Sequence, residues 1–169
     1  DLFVYAAALE NGFTPASRVL DAPFVIDQGE GKPKWKPANY TKKFYGPSTL
    51  RLGIEKSRNL MTVRLAQFIG MDVVSDYATR FGINDKMPEI LSMSLGAGET
   101  TLTRLTSAYA MLVNGGKKVV PSLIDRIQDR RGKTVFTHDG RTCTFCKDVR
   151  WNGQPAPTIV DDRLKVVEP

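Results

Sequence analysis

The sequence is poor in metal-binding side chains and has no long apolar run. It contains one histidine and two cysteines in 169 residues, which argues against a zinc centre, because zinc sites usually take three or four such ligands. Its longest apolar run, Phe3–Leu9, is far below the roughly 20 residues that cross a bilayer as a helix. No segment has the pattern of a signal peptide. No metal and no cofactor are therefore predicted.

The two cysteines form an isolated C-x-x-C pair. Cys143 and Cys146 are three positions apart, and two further zinc ligands would be needed to complete a metal site. A thioredoxin-like redox pair requires a βαβ context, and none is apparent around these residues. The sequence favours a local disulfide, or a pair of free thiols, in an oxidising compartment.

The composition is that of a globular chain with a basic surplus. Hydrophobic residues make up 41% and charged residues 25%, so a sizeable core is expected and disorder is not indicated. The net charge is +6, with a pI near 9.4. A basic surface suits anionic partners such as nucleic acid, lipid headgroups or cell-wall polymer, and the charge alone does not choose among them.

The most informative stretch is Gly46–Gly70, GPSTLRLGIEKSRNLMTVRLAQFIG. It predicts two helices joined by a tight corner at Ser57-Arg58-Asn59, the first of them capped by the Thr49 hydroxyl. The second helix carries an apolar stripe at helical spacing. This stripe consists of Met61, Leu65, Phe68 and Ile69. Without further context, Ser57 or Asn59 could simply cap the second helix, a contribution of about 1 kcal/mol.

The remaining sequence predicts two regions of different character. Residues 1–118 are expected to be mainly helical. A third clear helix there carries another apolar stripe, formed by Leu102, Leu105, Tyr109 and Val113. In residues 119–169 the pattern changes: Val119–Asp129 and Thr134–His138 flank Arg130-Arg131-Gly132, which predicts a β-hairpin. Beyond Asp139 the chain is expected to be rich in loops.

Four pieces of the sequence resemble the transpeptidase domain of class A penicillin-binding proteins of the 1A type. GPSTLRLGIEKSRNLMTVRLAQ resembles the region of that family's Ser-x-Asn motif, and FYGPST its lead-in. FVYAAALEN, from Phe3, resembles the stretch after the Ser-x-x-Lys nucleophile, and LGAGETTLTRLTSAYAMLVNGG, from Leu95, resembles a later helix. The pieces occur in the family's order and the resemblance extends from Phe3 to about Cys146.

The resemblance implies an α+β fold: a mainly helical subdomain of the transpeptidase with a small β-rich insert, and a central sheet that is largely missing. It implies serine acyl transfer between peptidoglycan stem peptides ending in D-Ala-D-Ala, with β-lactams as mimics of the donor. Ser57 would pass a proton to the leaving amine, and Asn59 would hold the substrate amide and the catalytic lysine. It also implies a periplasmic location, with the full-length protein anchored in the inner membrane. Some members carry a cysteine pair similar to Cys143 and Cys146.

Two of the family's three motifs do not occur in this sequence. No serine is followed by lysine three residues later, and there is no Lys-Thr-Gly. Asp1-Leu2 stand where the family has the Lys-Pro that completes the first motif. The chain by itself is therefore predicted to be inactive. Helices that face the missing sheet are expected to expose apolar surface, which a dimer partner or another chain could cover.

Two other functions compete with this interpretation. Val63–Gly82, two helices around Gly70, resembles a DNA-binding helix-turn-helix. Asp76 stands where such a motif needs a buried apolar residue, and the second helix offers only Arg80 as a basic contact, so nucleic acid is not expected as a partner. The third possibility is a non-catalytic wall-binding module.

Overall fold

The computed structural model describes residues 1–146 and 150–168, which form two compact units, Asp1–Leu105 and Thr106–Pro169. The described α-helices are α1 (Leu2–Glu10), α2 (Leu50–Glu55), α3 (Asn59–Ile69), α4 (Met71–Arg80) and α5 (Leu102–Val113), with a 3₁₀ helix at Leu91–Leu95. The described strands are β1 (Arg18–Asp21), β2 (Gly46–Thr49), β3 (Arg126–Gln128), β4 (Thr134–Thr137), β5 (Thr142–Thr144) and β6 (Thr158–Val160). The predicted α+β class is confirmed.

The core of the first unit forms around α1, which packs against α3 and α4. The sequence of α1, LFVYAAALE, is apolar on nearly every side, and a helix of this kind requires burial. Its small residues Ala7 and Ala8 are fully buried, which allows neighbouring helices to approach closely. The buried cluster contains Val4, Tyr5, Ala8, Leu50, Leu65, Ala66, Met71, Val74, Ala78 and Met87.

The predicted helix pair after Gly46 is confirmed, with α2 and α3 separated by a short corner. Strand β2 pairs with β1 in antiparallel register, with Arg18 opposite Thr49 and Asp21 opposite Gly46. As predicted, Thr49 caps α2, because its Oγ1 accepts a hydrogen bond from the backbone N–H of Leu52 at 3.3 Å. Strand β2 therefore leads without a loop into the first turn of α2.

One member of the α3 stripe was assigned wrongly. Met61 and Leu65 are buried, whereas the Phe68 side chain is 78% exposed. Phe68 lies in the last turn of α3, where its ring packs edge-on against Phe13 at 5.3 Å between centroids. Helical periodicity predicts a common face, but it does not tell how far along the helix the packing partners extend.

The second unit contains the predicted hairpin and one strand pair that was missed. Strands β3 and β4 pair in antiparallel fashion around Arg130-Arg131-Gly132. Beyond Asp139 the prediction of a loop-rich region is wrong in one respect, since β5 and β6 also pair. These strands have three residues each and more than ten residues between them, so no short turn signal in the sequence connects them.

The residues that follow α5 form backbone hydrogen bonds with residues 164–166, and Gly116 takes part in this pairing. The N–H of Val166 donates to Gly116 O, and the N–H of Lys118 donates to Leu164 O, each at 2.7 Å. Gly116 has a φ of +79°, and a Cβ at this position would overlap the carbonyl oxygen of Val167. A backbone atom cannot move aside as a flexible side chain can, so glycine is required here on two grounds.

We expect Gly116→Ala to loosen this pairing. The added methyl group should cost about 1–3 kcal/mol by overpacking, so the amides of Lys118 and Val166 should exchange with solvent about tenfold or more faster. Gly132→Ala is the matched control, because Gly132 has a φ of +80° with nothing within 4 Å of the added Cβ. Equal acceleration in both variants, measured by hydrogen exchange, would contradict the role assigned to the Val167 contact.

Candidate active site

The corner between α2 and α3 has the hydrogen bonds of a Schellman motif. The N–H of Ser57 donates to Ile54 O at 3.2 Å, and the N–H of Arg58 donates to Gly53 O at 2.9 Å. In this motif the residue just after the helix adopts a left-handed conformation and is usually glycine. Ser57 occupies that position, with a φ of +47°.

A serine with positive φ is unusual, because this position of a Schellman motif is normally occupied by glycine. Its Cβ costs roughly 1–2 kcal/mol in the left-handed region, and glycine would avoid this cost. Strained residues of this kind concentrate at functional sites. The corner therefore holds a hydroxyl group at a position where backbone geometry alone would favour glycine.

The Ser57 side chain is exposed and is directed towards the beginning of α1. Its Oγ donates a hydrogen bond to Oδ2 of Asp1 at 3.0 Å, and Asp1 is the residue that precedes α1. The structure thus brings Ser57 together with the position before Leu2, 56 residues away in sequence.

The alternative in which Ser57 or Asn59 caps α3 is wrong. The residue in the N-cap position is Arg58, which makes no side-chain capping hydrogen bond. Asn59 is the first residue of α3, and its Nδ2 donates instead to Ala38 O at 2.9 Å. A carboxamide has two N–H donors and an acceptor oxygen; the Ala38 contact uses one donor, so the group retains capacity for a ligand.

The N-terminus of α3 is capped by a distant residue that sequence reasoning missed. Oδ1 of Asn39 accepts a hydrogen bond from the N–H of Leu60 at 3.2 Å, across 21 residues of sequence. Its Nδ2 donates to Oδ1 of Asp21 at 2.7 Å. Capping signals are read from neighbouring positions, so no local pattern could identify Asn39.

Beneath the corner, Gly53 lies against a buried phenol. A Cβ at Gly53 would come within 2.5 Å of the Tyr5 hydroxyl and 2.7 Å of Cε of Met61. This close approach explains a glycine inside α2, where it weakens the helix by about 1 kcal/mol relative to alanine. Tyr5 is 4% exposed, and burial raises the pKa of its hydroxyl, which keeps the phenol neutral.

The cysteines lie in the second unit, apart in sequence from the corner. Sγ of Cys143 and Sγ of Cys146 are joined in a disulfide. His138 is exposed, with Nε2 at 3.1 Å from Val120 O. In residues 1–146 and 150–168 there is no group of three His, Cys, Asp or Glu side chains that could hold a metal ion. No helix within these residues is long and apolar enough to cross a membrane.

The first compact unit is mainly helical, and its corner holds a serine with positive φ two residues before an asparagine. Residues 2–150 match the family described as penicillin binding protein transpeptidase domain. The chain belongs to this family. It is 51% identical over 144 residues to penicillin-binding protein 1A of Rickettsia bellii, a match that covers 85% of this chain and 18% of that protein.

Solved structures agree with the sequence comparison. The crystal structure of penicillin-binding protein 1A from Haemophilus influenzae is similar, with a TM-score of 0.73 and 38% identity over 80% of this chain and 20% of that chain. PonA1 of Mycobacterium tuberculosis in complex with penicillin V has a TM-score of 0.70 and 22% identity over 80% of this chain and 39% of that chain, a likeness that shows the fold. The family resemblance predicted from sequence is confirmed. The chain spans about a sixth of the length of the curated relatives it matches.

Proposed function

We propose that this chain is the Ser-x-Asn segment of a peptidoglycan D,D-transpeptidase, in a penicillin-binding protein of the 1A type. The observation that carries the proposal is the serine at the glycine position of the corner, with its hydroxyl directed towards the beginning of α1. In the family, the lysine of the first motif occupies the position of Asp1. The hydrogen bond between Ser57 and Asp1 supports the proposal, because a lysine at this position would lie close to the serine.

In the proposed reaction a serine outside this chain attacks the D-Ala-D-Ala end of a stem peptide. A serine hydroxyl is a weak nucleophile at neutral pH and needs a neighbouring base, which in this family is the lysine of Ser-x-x-Lys. The acyl-enzyme then passes its acyl group to an amine of a second stem peptide. β-Lactams enter as mimics of the donor and stop at the acyl stage.

Ser57 and Asn59 have different roles in this scheme. The Ser57 hydroxyl can accept a proton from the lysine and donate one to the leaving amine nitrogen, because a hydroxyl has both a donor and acceptor lone pairs. The carboxamide of Asn59 would bind the amide of the substrate and the lysine. No cofactor takes part in the proposed chemistry. The Cys143–Cys146 disulfide supports a periplasmic location, because disulfides persist in oxidising compartments. Membrane anchoring of the full-length protein in the inner membrane is proposed from the family alone.

The apolar stripe of α5 belongs to the same proposal. Leu102 and Val113 are more than 80% exposed, and Leu105 and Tyr109 are also exposed. A stripe of this size needs a cover, which in the complete protein would be other parts of the transpeptidase, a partner chain or a dimer. Residues 1–118 would be the mainly helical part of the transpeptidase domain and residues 119–169 a β-hairpin and loop-rich insert, a division supported by α5 ending at Val113 and β3 beginning at Arg126.

The contacts of Arg80 argue against a DNA-binding function. Nε of Arg80, the one basic residue in α4, lies 3.1 Å from Oδ2 of Asp76, and its Nη2 lies 3.1 Å from Oε2 of Glu10. A recognition helix presents its basic side chains to the nucleic acid, whereas this guanidinium is engaged by two carboxylates of the same unit.

We expect the purified 169-residue chain to take up no covalent penicillin, because it lacks the nucleophile. The matched positive sample is a chimera in which residues 3–146 replace the corresponding segment of the Rickettsia bellii penicillin-binding protein 1A, which would supply the other two motifs. A fluorescent penicillin should label the chimera stoichiometrically. Labelling is measured on denaturing gels after removal of free ligand.

Two results would count against the proposal. Stoichiometric labelling of the isolated chain would show that a nucleophile lies within it. A folded chimera that remains unlabelled, with the unmodified Rickettsia protein labelled under the same conditions, would show that this segment cannot serve in a transpeptidase.

A further inference from the structure

We infer that Asp21 is a positioning residue for the Ser57–Asn59 corner, acting through Arg58. This inference rests on the proposed function, because it assigns to a buried ion pair the task of holding the two motif side chains in place. Asp21 touches neither the nucleophile position nor Asn59 in the described contacts, so its effect would be exerted through the backbone of the corner.

The carboxylate of Asp21 is wholly buried, with 0% of its surface exposed. Its Oδ1 accepts a hydrogen bond from Nδ2 of Asn39 at 2.7 Å, and its Oδ2 lies 3.4 Å from Nη1 of Arg58. A buried charge is costly unless it is paired and hydrogen-bonded. Loss of Arg58 would leave the buried charge unpaired, and loss of Asn39 would remove a hydrogen bond to it, so the three side chains are expected to keep one arrangement.

Arg58 is held from a second side by an aromatic ring. Its guanidinium carbon lies 3.3 Å from the ring centroid of Tyr45, a stacking that a planar guanidinium favours. The N–H of Tyr45 donates to the backbone oxygen of Asp21 at 3.3 Å. This hydrogen bond, next to the β1–β2 pairing, keeps the carboxylate and the ring close together, and the guanidinium contacts both.

This clamp acts on the residue in the middle of the Ser-x-Asn motif. Arg58 follows the strained Ser57 and precedes Asn59, so a fixed Arg58 side chain restrains the backbone on both sides. Asn39 extends the restraint, since its Oδ1 caps α3 at Leu60 while the preceding carbonyl, Ala38 O, receives the Asn59 amide. The buried carboxylate of Asp21 is therefore linked to the serine turn through Arg58, and to the Asn59 side chain through Asn39 and the neighbouring Ala38 carbonyl.

A purely structural role is the competing explanation, because many buried ion pairs only support folding. The two explanations differ in what they predict for molecules that have folded. Positioning affects the rate at which each competent site is acylated, since small misplacement of a catalytic group slows reaction. A structural role affects only the fraction of molecules with a competent site.

The test uses the chimera described above, with Asp21→Asn and with Asp27→Asn as the matched control, an exposed aspartate 4.0 Å from Nζ of Lys34. Fluorescent penicillin gives two readouts, the labelled fraction at saturation and the acylation rate constant of the labelled sites. We expect Asp21→Asn to lower the rate constant by about tenfold to a hundredfold, and Asp27→Asn to leave it unchanged. Arg58→Met should slow acylation to the same degree, and the double variant with Asp21→Asn no further.

A second variant keeps the test decisive if Asp21→Asn fails to fold. Tyr45→Leu removes the stacked ring at a position that is 44% exposed, and it should lower the rate constant by about threefold to tenfold. A normal rate constant with a reduced labelled fraction in the folded variants would overturn the positioning role and leave the proposed function intact. An unlabelled chimera with the unchanged segment would overturn the proposed function, and this inference with it.

Discussion

Replacing Ser57 by glycine is expected to lower the acylation rate of the chimera by at least about a hundredfold and, at the same time, to make the segment more stable. The loss follows from removal of the hydroxyl that relays the proton between the lysine and the leaving amine. The gain follows from the φ of +47°, which glycine adopts without the roughly 1–2 kcal/mol cost of a side chain. Penicillin acylation and urea unfolding measure the two effects separately.

Two further variants separate the hydroxyl from the backbone. Ser57→Ala removes the hydroxyl and keeps the strain, so it should lose the same activity with no gain in stability. Ser122→Ala is the control, because Ser122 is also exposed, and its Oγ donates to Ile124 O at 2.9 Å. Acylation of Ser57→Ala at the rate of the unchanged chimera would remove Ser57 from the mechanism, whatever its conformation.

Phe81→Ala is expected to reduce the free energy of unfolding by about 3–5 kcal/mol, the usual cost of removing a fully buried aromatic ring. Phe81 has no exposed surface, and its ring contacts those of Phe3 and Tyr77, with centroids 5.3 Å and 5.8 Å away. Aromatic pairs of this kind add to the burial energy. Since small domains are stable by only about 5–15 kcal/mol, the variant should unfold at much lower urea concentration.

Phe68→Ala provides the matched comparison for Phe81→Ala. It removes the same side chain from a position that is 78% exposed, where substitutions usually change stability by about 0.5 kcal/mol. Both variants are measured in the 169-residue chain by urea unfolding followed by far-ultraviolet circular dichroism. Similar losses in the two variants would contradict the core position assigned to Phe81.

The sequence predicts local features of the fold well, because they depend on neighbouring residues. Thr49 caps α2 through a contact three residues away, and the β3–β4 hairpin surrounds the turn predicted at Arg130-Arg131-Gly132. The family resemblance predicts Ser57 and Asn59 as site residues. The residues of the corner by themselves are equally compatible with helix capping. In each case the physical cause lies within a few positions of its effect.

The features that were missed depend on contacts between distant residues. Asn39 caps α3 from 21 positions away, and the sequence around it gives no sign of this role. The left-handed conformation of Ser57 could not be foreseen, since serine at that position gives no signal comparable to glycine. Strands β5 and β6, and the exposure of Phe68, likewise depend on which parts of the chain meet in three dimensions.

The hydrogen bond from Leu60 to Asn39 makes the N-terminus of α3, which carries Asn59, depend on the conformation of a loop. Residues 22–45 connect β1 to β2, a connection of the kind in which insertions and exchanges are ordinarily tolerated. Here the side chain of Asn39, within that connection, caps α3 in place of a neighbouring residue. A change in the number of residues between β1 and Asn39 would displace the oxygen that accepts from the N–H of Leu60, so we expect this loop to tolerate substitutions better than insertions.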